Sequence, residues 1–349
     1  MTGDYKSHLF NFSSSYFGGG LKRILAYLQW FNEQGGACFV LNDRLKGIEK
    51  TFPANRYCFL RQHSIAKIFN YSAKLNQFIA EVGEIDLYYS YGIPLPRKVG
   101  RVNWAHIANV LTLIRSGKYI SFRRSLELQL LGFLLKNSMK YADVISAESE
   151  SSLSLLNRSL KAKLVVSVNG SDEEITAYKD QSDFNTTSHI ENIAVAVGTC
   201  RYKCMDDVYK IYLHLRESNP SLHLIIVGIK EDVPAYIQKD KLVILRGVLS
   251  QLHVCNLLKN AKYYITATLI ENSYNAASEG AFLAKEAFVS DIGPHRELFK
   301  NVSYKVINNL NTRVASLYVQ RQNLNLSNLK PWVQVINDMI HTTQCERLS

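Results

Sequence analysis

The sequence predicts an α/β protein built from two doubly wound, Rossmann-like domains, and three features carry that reading. Short apolar runs alternate with helical periodicities through the first half of the chain. A polar stretch without periodicity, residues 171–192, interrupts them. The same strand-helix rhythm restarts at Ile193. A length of 349 residues agrees, because a single hydrophobic core stops growing at roughly 250–300 residues. The expected division is a first domain at 1–172, a linker at 173–191, a second domain at 192–330 and a C-terminal helix and tail at 331–349.

Taken in order, residues 8–14 read as a strand that runs into SYFGGGLKRILAYLQWF. Gly18, Gly19 and Gly20 precede a helix whose apolar positions Leu21, Ile24, Leu25, Leu28 and Phe31 are helically spaced. Glycines at such a turn let a ligand approach the backbone and the helix N-terminus. Three in a row do not form the GxGxxG dinucleotide fingerprint. Strands are expected at 37–41, 57–60 and 85–90, with a helix at 64–81. Residues 99–104 are strand-like, which puts His106 just past a strand end, where open α/β sheets hold their ligands. A hydrogen-bonded structural histidine is the alternative. Arg115, Lys118, Arg123 and Arg124 stand ahead of an apolar helix at 126–140, a composition shared by membrane-surface elements and by solvated basic faces. A strand at 143–147, a short helix in ESESSLSLLN and a strand at 164–168 complete this half.

The second half opens with a strand at 193–197, the segment GTCRYKCMDD and a helix at 207–217. Strands at 222–228 and 242–247 each end in glycine. A strand at 263–268 then leads to a polar turn whose first charge is Glu271, a helix at 274–285 and a strand at 287–290. Glu279 follows Glu271 by eight residues and lies a little over one turn into that helix. The backbone amides of Ser273, Tyr274 and Asn275 fall among the helix's first unpaired N–H groups, a natural seat for a phosphate or diphosphate. One acid ahead of that seat and one behind suit a ligand with hydroxyls at both ends and phosphate between them, the shape of a nucleotide sugar. Alone, two glutamates so spaced also describe a solvated helix face. Beyond Glu297 the chain reads as polar and helical, with a last helix at 331–340.

Composition narrows the function classes. Apolar residues make up 47% and charged residues 20%, ordinary for a globular protein. No run of about 18 uncharged apolar residues occurs, so no membrane span is expected. The N-terminal MTGDYKSHLFNFSSS lacks the basic start and long apolar core of a secretory signal. The six cysteines are scattered, and the pair Cys200 and Cys204 has no second pair to complete a zinc site. A reducing cytoplasm is the expected home. The net charge of +11 is concentrated in residues 1–172, with 22 Lys and Arg against 12 Asp and Glu. Such a field suits nucleic acid or an anionic membrane surface. Nucleic acid is disfavoured, since no RNA- or DNA-binding module is recognisable and the aromatics do not cluster with the basic residues.

The stretch YYITATLIENSYNAASEGAFLAKEAFVSDIGPHRE, residues 263–297, resembles the retaining family 4 glycosyltransferases of the GT-B architecture. The family signature is two glutamates separated by seven residues, followed by small apolar residues, a short strand, Ser-Asp and a closing Glu, here Glu297. The glycine turn at 18–20, NGSDEE at 169–174 and GTCRYKC at 198–204 extend the similarity over most of the chain. Departures stand at Tyr274, Ala284 and Glu286, where the family often has Gly, Gly and Pro, and at Thr199 and Cys204, which replace Arg and Gly. The resemblance implies two Rossmann-like domains facing a central cleft, with acceptor held by 1–172, donor by 192–330, and the final helix packed back on the first domain. It implies Glu271 against sugar hydroxyls and Glu279 on the ribose. Gly19, Gly20, Gly198, Ser273, Tyr274 and Asn275 would lie near the donor, and His106 against the transferred sugar. Lys203 and Arg201 would stabilise the departing nucleoside diphosphate.

No Asp-x-Asp pair occurs, so neither metal nor cofactor is expected. The reaction expected from the resemblance is sugar transfer with retention, from a nucleoside diphosphate sugar to a glycan acceptor. That acceptor is expected to be lipid-linked, in bacterial surface polysaccharide assembly of O-antigen or capsule type, on the inner face of an anionic membrane. An inert GT-B scaffold subunit of a glycosyltransferase complex is the alternative.

Overall fold

A parallel strand covered on both faces must be apolar almost throughout. In this computed structural model β1 (His8–Asn11), β2 (Cys38–Asn42), β4 (Leu87–Tyr91) and β5 (Val102–Ile107) are buried at every position. The structure describes residues 5–61, 73–114, 120–156, 160–171, 175, 191–324 and 329–348. The first part of the expected 64–81 helix, Arg115, Lys118 and the 173–191 linker lie outside the described residues, apart from Ile175 and Glu191. The chain divides into two units, residues 1–170 with 330–349, and residues 171–329.

In the first unit, β3 (Arg56–Leu60), β6 (Val144–Ala147) and β7 (Lys163–Val166) complete a seven-stranded sheet of order β3-β2-β1-β4-β5-β6-β7, with every pairing parallel. Alternation along the strands divides its core in two. Phe10, Phe39, Tyr89 and Trp104 pack with helix α1 (Gly18–Glu33) and with Ile336, Met339 and Ile340 of the C-terminal helix α10 (Trp332–Leu348). Leu9, Cys38, Tyr88 and Ile145 pack on the other face with Leu75 and Phe78 of α2 (Ala73–Val82). The helix α3 (Phe122–Ser138), capped by the Ser121 hydroxyl, and the short α4 (Glu150–Leu153) flank β6 in the chain.

The second unit repeats the winding. Strands β8 (Glu191–Val197), β9 (His223–Val227), β10 (Val243–Gly247), β11 (Ala261–Thr266) and β12 (Glu286–Ser290) stand in the order β10-β9-β8-β11-β12, all parallel. The helix α5 (Met205–Ser218) and the short α6 (Ala235–Gln238) cover one face. The other face takes α7 (Gln251–Lys259) and α8 (Asn275–Leu283), and the short α9 (Gly293–Leu298) follows β12.

Three local expectations are corrected. The glycines do not precede α1, because the helix begins at Gly18 and Gly19 and Gly20 lie in its first turn. Between α9 and α10 the described chain forms strands rather than a helix: β13 (Lys305–Ile307) pairs antiparallel with β14 (Ser316–Gln320), which pairs antiparallel with β12. Strand β13 is the exposed edge, while β14 lies between it and β12 with Leu317 and Val319 buried, and such short antiparallel strands carry no long apolar run. His106 lies inside β5 rather than beyond it, since that strand is shifted C-terminally to Val102–Ile107.

A close approach between a helix and a strand shapes the second unit's packing. Gly280 of α8 lies against Tyr264 of β11 so closely that a Cβ would sit 2.2 Å from the ring. Replacing Gly280 with alanine should therefore cost about 2 kcal/mol through overpacking, and the loss should appear as a lower midpoint in thermal unfolding. A midpoint equal to that of the wild type would contradict this contact.

Candidate active site

Open parallel sheets bind ligands outside the carboxyl ends of their strands, at the point where strand order reverses. In the second unit that point lies between the neighbours β8 and β11. The segment after β8 carries Gly198, Thr199 and a 3-10 turn at Arg201–Lys203, and the segment after β11 carries Glu271. Lys203 Nζ donates to Glu271 Oε1, joining residues 68 apart in sequence. Their side chains are only 12% and 21% exposed. A backbone bond from Leu269 N to Tyr202 O, 2.9 Å long, holds the two segments together.

The backbone around Lys203 explains two departures from the family pattern. Cys204 adopts a left-handed conformation, φ 50° and ψ 64°, the geometry that glycine takes without strain. Its thiol is buried and accepts a 3.0 Å bond from Arg313 Nη1. Thr199, where the family has arginine, is buried, and its Oγ1 accepts from Ile229 N at 2.9 Å, tying the end of β8 to that of β9. Arg201 is exposed on its turn, so Lys203 is the cation that faces Glu271.

Helix α8 is buried from Ala277 through Leu283, and Glu279 is 8% exposed. A solvated face is thereby ruled out for this glutamate. Ser278 N bonds back to Tyr274 O at 2.7 Å, and the Ser273 hydroxyl accepts from Asn275 N and donates to Asn275 Oδ1 at 2.8 Å. The N–H groups of Ala276 and Ala277 lie in the first turn, ahead of that first intrahelical bond. Tyr274 (φ −118°) and Ala284 (φ −72°), which replace family glycines, have backbones open to any residue.

Two residues escaped the sequence reading. His295 on α9 is buried, and its Nδ1 must carry the proton, since it donates to Ser290 O at 2.8 Å. Burial pushes its pKa down to about 4, while Glu271 raises it and Lys203 lowers it, so the ring lies within reach of the pair. Tyr264, on β11 against Gly280 of α8, has its phenol pushed up by burial and then by Glu271 and Glu279. The GPHRE segment offered His295 in the sequence, but nothing in its spacing tied it to residues 203 and 271.

In the first unit the reversal lies between β1 and β4, and the segment after β1 leads into Gly19 and Gly20. A Cβ on Gly20 would meet the Ser15 hydroxyl at 2.0 Å, so this turn is closely packed. Two strands along, His106 is buried and stacked on Tyr91, ring centroids 5.0 Å apart. Trp104 Nε1, which can only donate, bonds Ser146 Oγ at 2.6 Å. Ser146 Oγ also lies 2.7 Å from His106 Nδ1, and His106 Nε2 faces Glu148 Oε1 at 3.7 Å. Burial, then Arg23, lowers the His106 pKa to about 4, against the pull of Glu148. The fully buried Arg23 donates to Ser167 O at 2.8 Å, Val168 O at 3.0 Å and Asn169 Oδ1 at 3.1 Å, fixing α1 to the segment after β7. Glu148, buried 4.0 Å from Arg23, has no counterpart among the expected site residues.

Solved structures give the architecture its context. Sucrose-phosphate synthase from Thermosynechococcus elongatus superposes with TM-score 0.57 at 10% identity, over 83% of this chain and 83% of its own. A glycosyltransferase from Rickettsia africae ESF-5 gives 0.55 at 14%, over 84% and 81%. This chain has the GT-B fold. HepE from Anabaena, solved with UDP and glucose, superposes with TM-score 0.53 at 14% identity, over 84% of this chain and 83% of its own. No protein-family model and no curated protein sequence matches the chain.

The buried histidines His106 and His295 make stability depend on pH. The unfolded chain takes up their protons near pH 6.5, whereas the folded chain keeps both rings neutral down to about 4. Their contribution is complete above pH 6.5 and is lost as pH falls towards 4, by about 1.4 kcal/mol per pH unit per histidine. Thermal midpoints measured from pH 7 to 4.5 should fall, and His295→Gln should flatten the decline. An equal decline in the variant would contradict a neutral His295.

Proposed function

We propose that this chain is a retaining glycosyltransferase that moves a sugar from a nucleoside diphosphate sugar to a hydroxyl of a glycan acceptor. The observation that carries the reading is the Lys203–Glu271 pair at the strand-order reversal of the second unit, with the buried Glu279 eight residues on. Diphosphate would draw Lys203 to itself and free Glu271 to accept hydrogen bonds from sugar hydroxyls. Glu279 would accept from the ribose, and the first turn of α8, Ser273 to Asn275 with the amides beyond, would hold phosphate oxygens.

Negative charge grows on the leaving nucleoside diphosphate, and a cation held in a half-buried crevice stabilises it more than one in water. The departing phosphate would take the acceptor's proton as the acceptor attacks from the same face of the sugar, which preserves the anomeric configuration. Such chemistry asks for no metal and no separate protein base. His106 and the Gly19–Gly20 turn would serve the acceptor side on the first unit. A lipid-linked acceptor in bacterial surface polysaccharide assembly fits the basic charge of that half.

A second reading, an inert GT-B scaffold subunit, draws on one observation: Thr199 is committed to Ile229 N and Arg201 is exposed, so Lys203 is left as the one cation of the expected pair turned to the crevice. The ordinary backbones at Tyr274 and Ala284 and the left-handed Cys204 favour the active enzyme.

Thermal unfolding against UDP, GDP, ADP, CMP and dTDP and their sugars, repeated with Glu279→Ala, separates the two. A ligand at 100 times its dissociation constant should add roughly 2.7 kcal/mol, with one nucleotide active and the variant unresponsive. No response to any nucleotide would favour the scaffold.

A further inference from the structure

The helix α3 is built inside out. Its inward residues are Ser125, Leu128, Gly132, Leu135 and Ser138, and Gly132 lies so close to the Thr112 carbonyl that a Cβ would sit 1.8 Å from it. Besides the inward Leu128 and Leu135, four of its large apolar side chains point outward: Phe122 is 85% exposed, Leu126 59%, Leu130 46% and Phe133 61%. At about 100° per residue these four share an arc of roughly 80° on the side away from the core. An ordinary surface helix has the opposite arrangement. Exposed apolar residues placed singly are unremarkable, but four on one stripe mark a surface that something covers.

The charge around the stripe indicates what covers it. Arg123 borders one side and Lys136 the other, with Arg124 and Lys140 nearby, all exposed. The single acid, Glu127, pairs with Arg124 at 3.0 Å and lies 3.6 Å from Arg123. A cationic rim on a second copy would meet its like, which disfavours self-association. The stripe is also convex, as a bilayer interface requires, since a helix lying in that plane buries its apolar face among acyl chains and leaves its cations at the headgroups.

We infer that Phe122, Leu126, Leu130 and Phe133 insert into an anionic lipid bilayer, with Arg123, Arg124, Lys136 and Lys140 at its headgroups. This rests on the proposed reading for its purpose, which is to bring the first unit to a lipid-linked acceptor, but the binding itself needs neither donor nor acceptor.

The test is flotation of the full chain with vesicles of phosphatidylcholine, with and without phosphatidylglycerol. The chain should float with the anionic vesicles and at least about tenfold less with neutral ones, and added salt should weaken it. The double variant Phe122→Ser/Phe133→Ser should lose the vesicles by at least about tenfold, with an unchanged thermal midpoint because both side chains are exposed. Equal flotation of the variant, or none of the wild type, would overturn the inference. So would a wild-type dimer in sedimentation velocity that the variant abolishes, which would assign the stripe to a second copy. The nucleotide-dependent thermal response of the same variant reports separately on the donor site, so either idea can fail without the other.

Discussion

The second unit depends on one partly buried ion pair. A lysine and a glutamate removed from most of their water must satisfy each other, because either alone would carry an uncompensated charge in a low-dielectric crevice. Lys203 and Glu271 do so from opposite sides of the strand-order reversal. Much of the surrounding sequence serves their meeting. Cys204 turns the chain through a left-handed residue directly after Lys203, Thr199 closes the end of β8 onto that of β9, and the Leu269 amide reaches Tyr202. Gly280 lets α8 settle on Tyr264 and so sets where Glu279 and the helix N-terminus stand relative to Glu271.

The two units share a strand order up to the fifth strand, and so share a place where a ligand crevice must lie, but they fill it differently. The second unit offers a lysine, two carboxylates and a helix start, a set suited to an anionic ligand rich in hydroxyls. The first unit offers aromatic rings, a buried neutral histidine and a buried Arg23–Glu148 pair. Arg23 spends its guanidinium on the backbone after β7, so its charge is structural and is offset by Glu148 and by hydrogen bonds.

Much of this was legible in the sequence where apolar runs were long and bounded by turns. The central strands, the helix holding Glu279 and the doubly wound class follow from periodicity, because parallel strands between helices leave no polar face. What failed to show lay where that rule lapses. Strand β13 is a short exposed edge, and β14, between it and β12, buries only Leu317 and Val319 as apolar residues, too short a pattern to tell from a helix or a loop. His106 was placed one strand-end too far because Gly100 and Arg101 delay the start of β5. His295 and Glu148 reach their sites only through tertiary packing, and no local pattern links them to Glu271 or to His106. Helix α3 was legible as apolar, but which of its faces points outward is settled by the contact of Gly132 with Thr112.

The central claim is that Lys203 and Glu271 form one donor-binding unit. Titration calorimetry of the nucleoside diphosphate sugar selected by the thermal panel, applied to the wild type, Lys203→Met, Glu271→Gln and the double variant, tests it directly. If the two act together, each single change weakens binding and the double change costs less than their sum, with a coupling of at least about 1 kcal/mol. Affinity unchanged in both single variants would place the donor elsewhere and contradict the account.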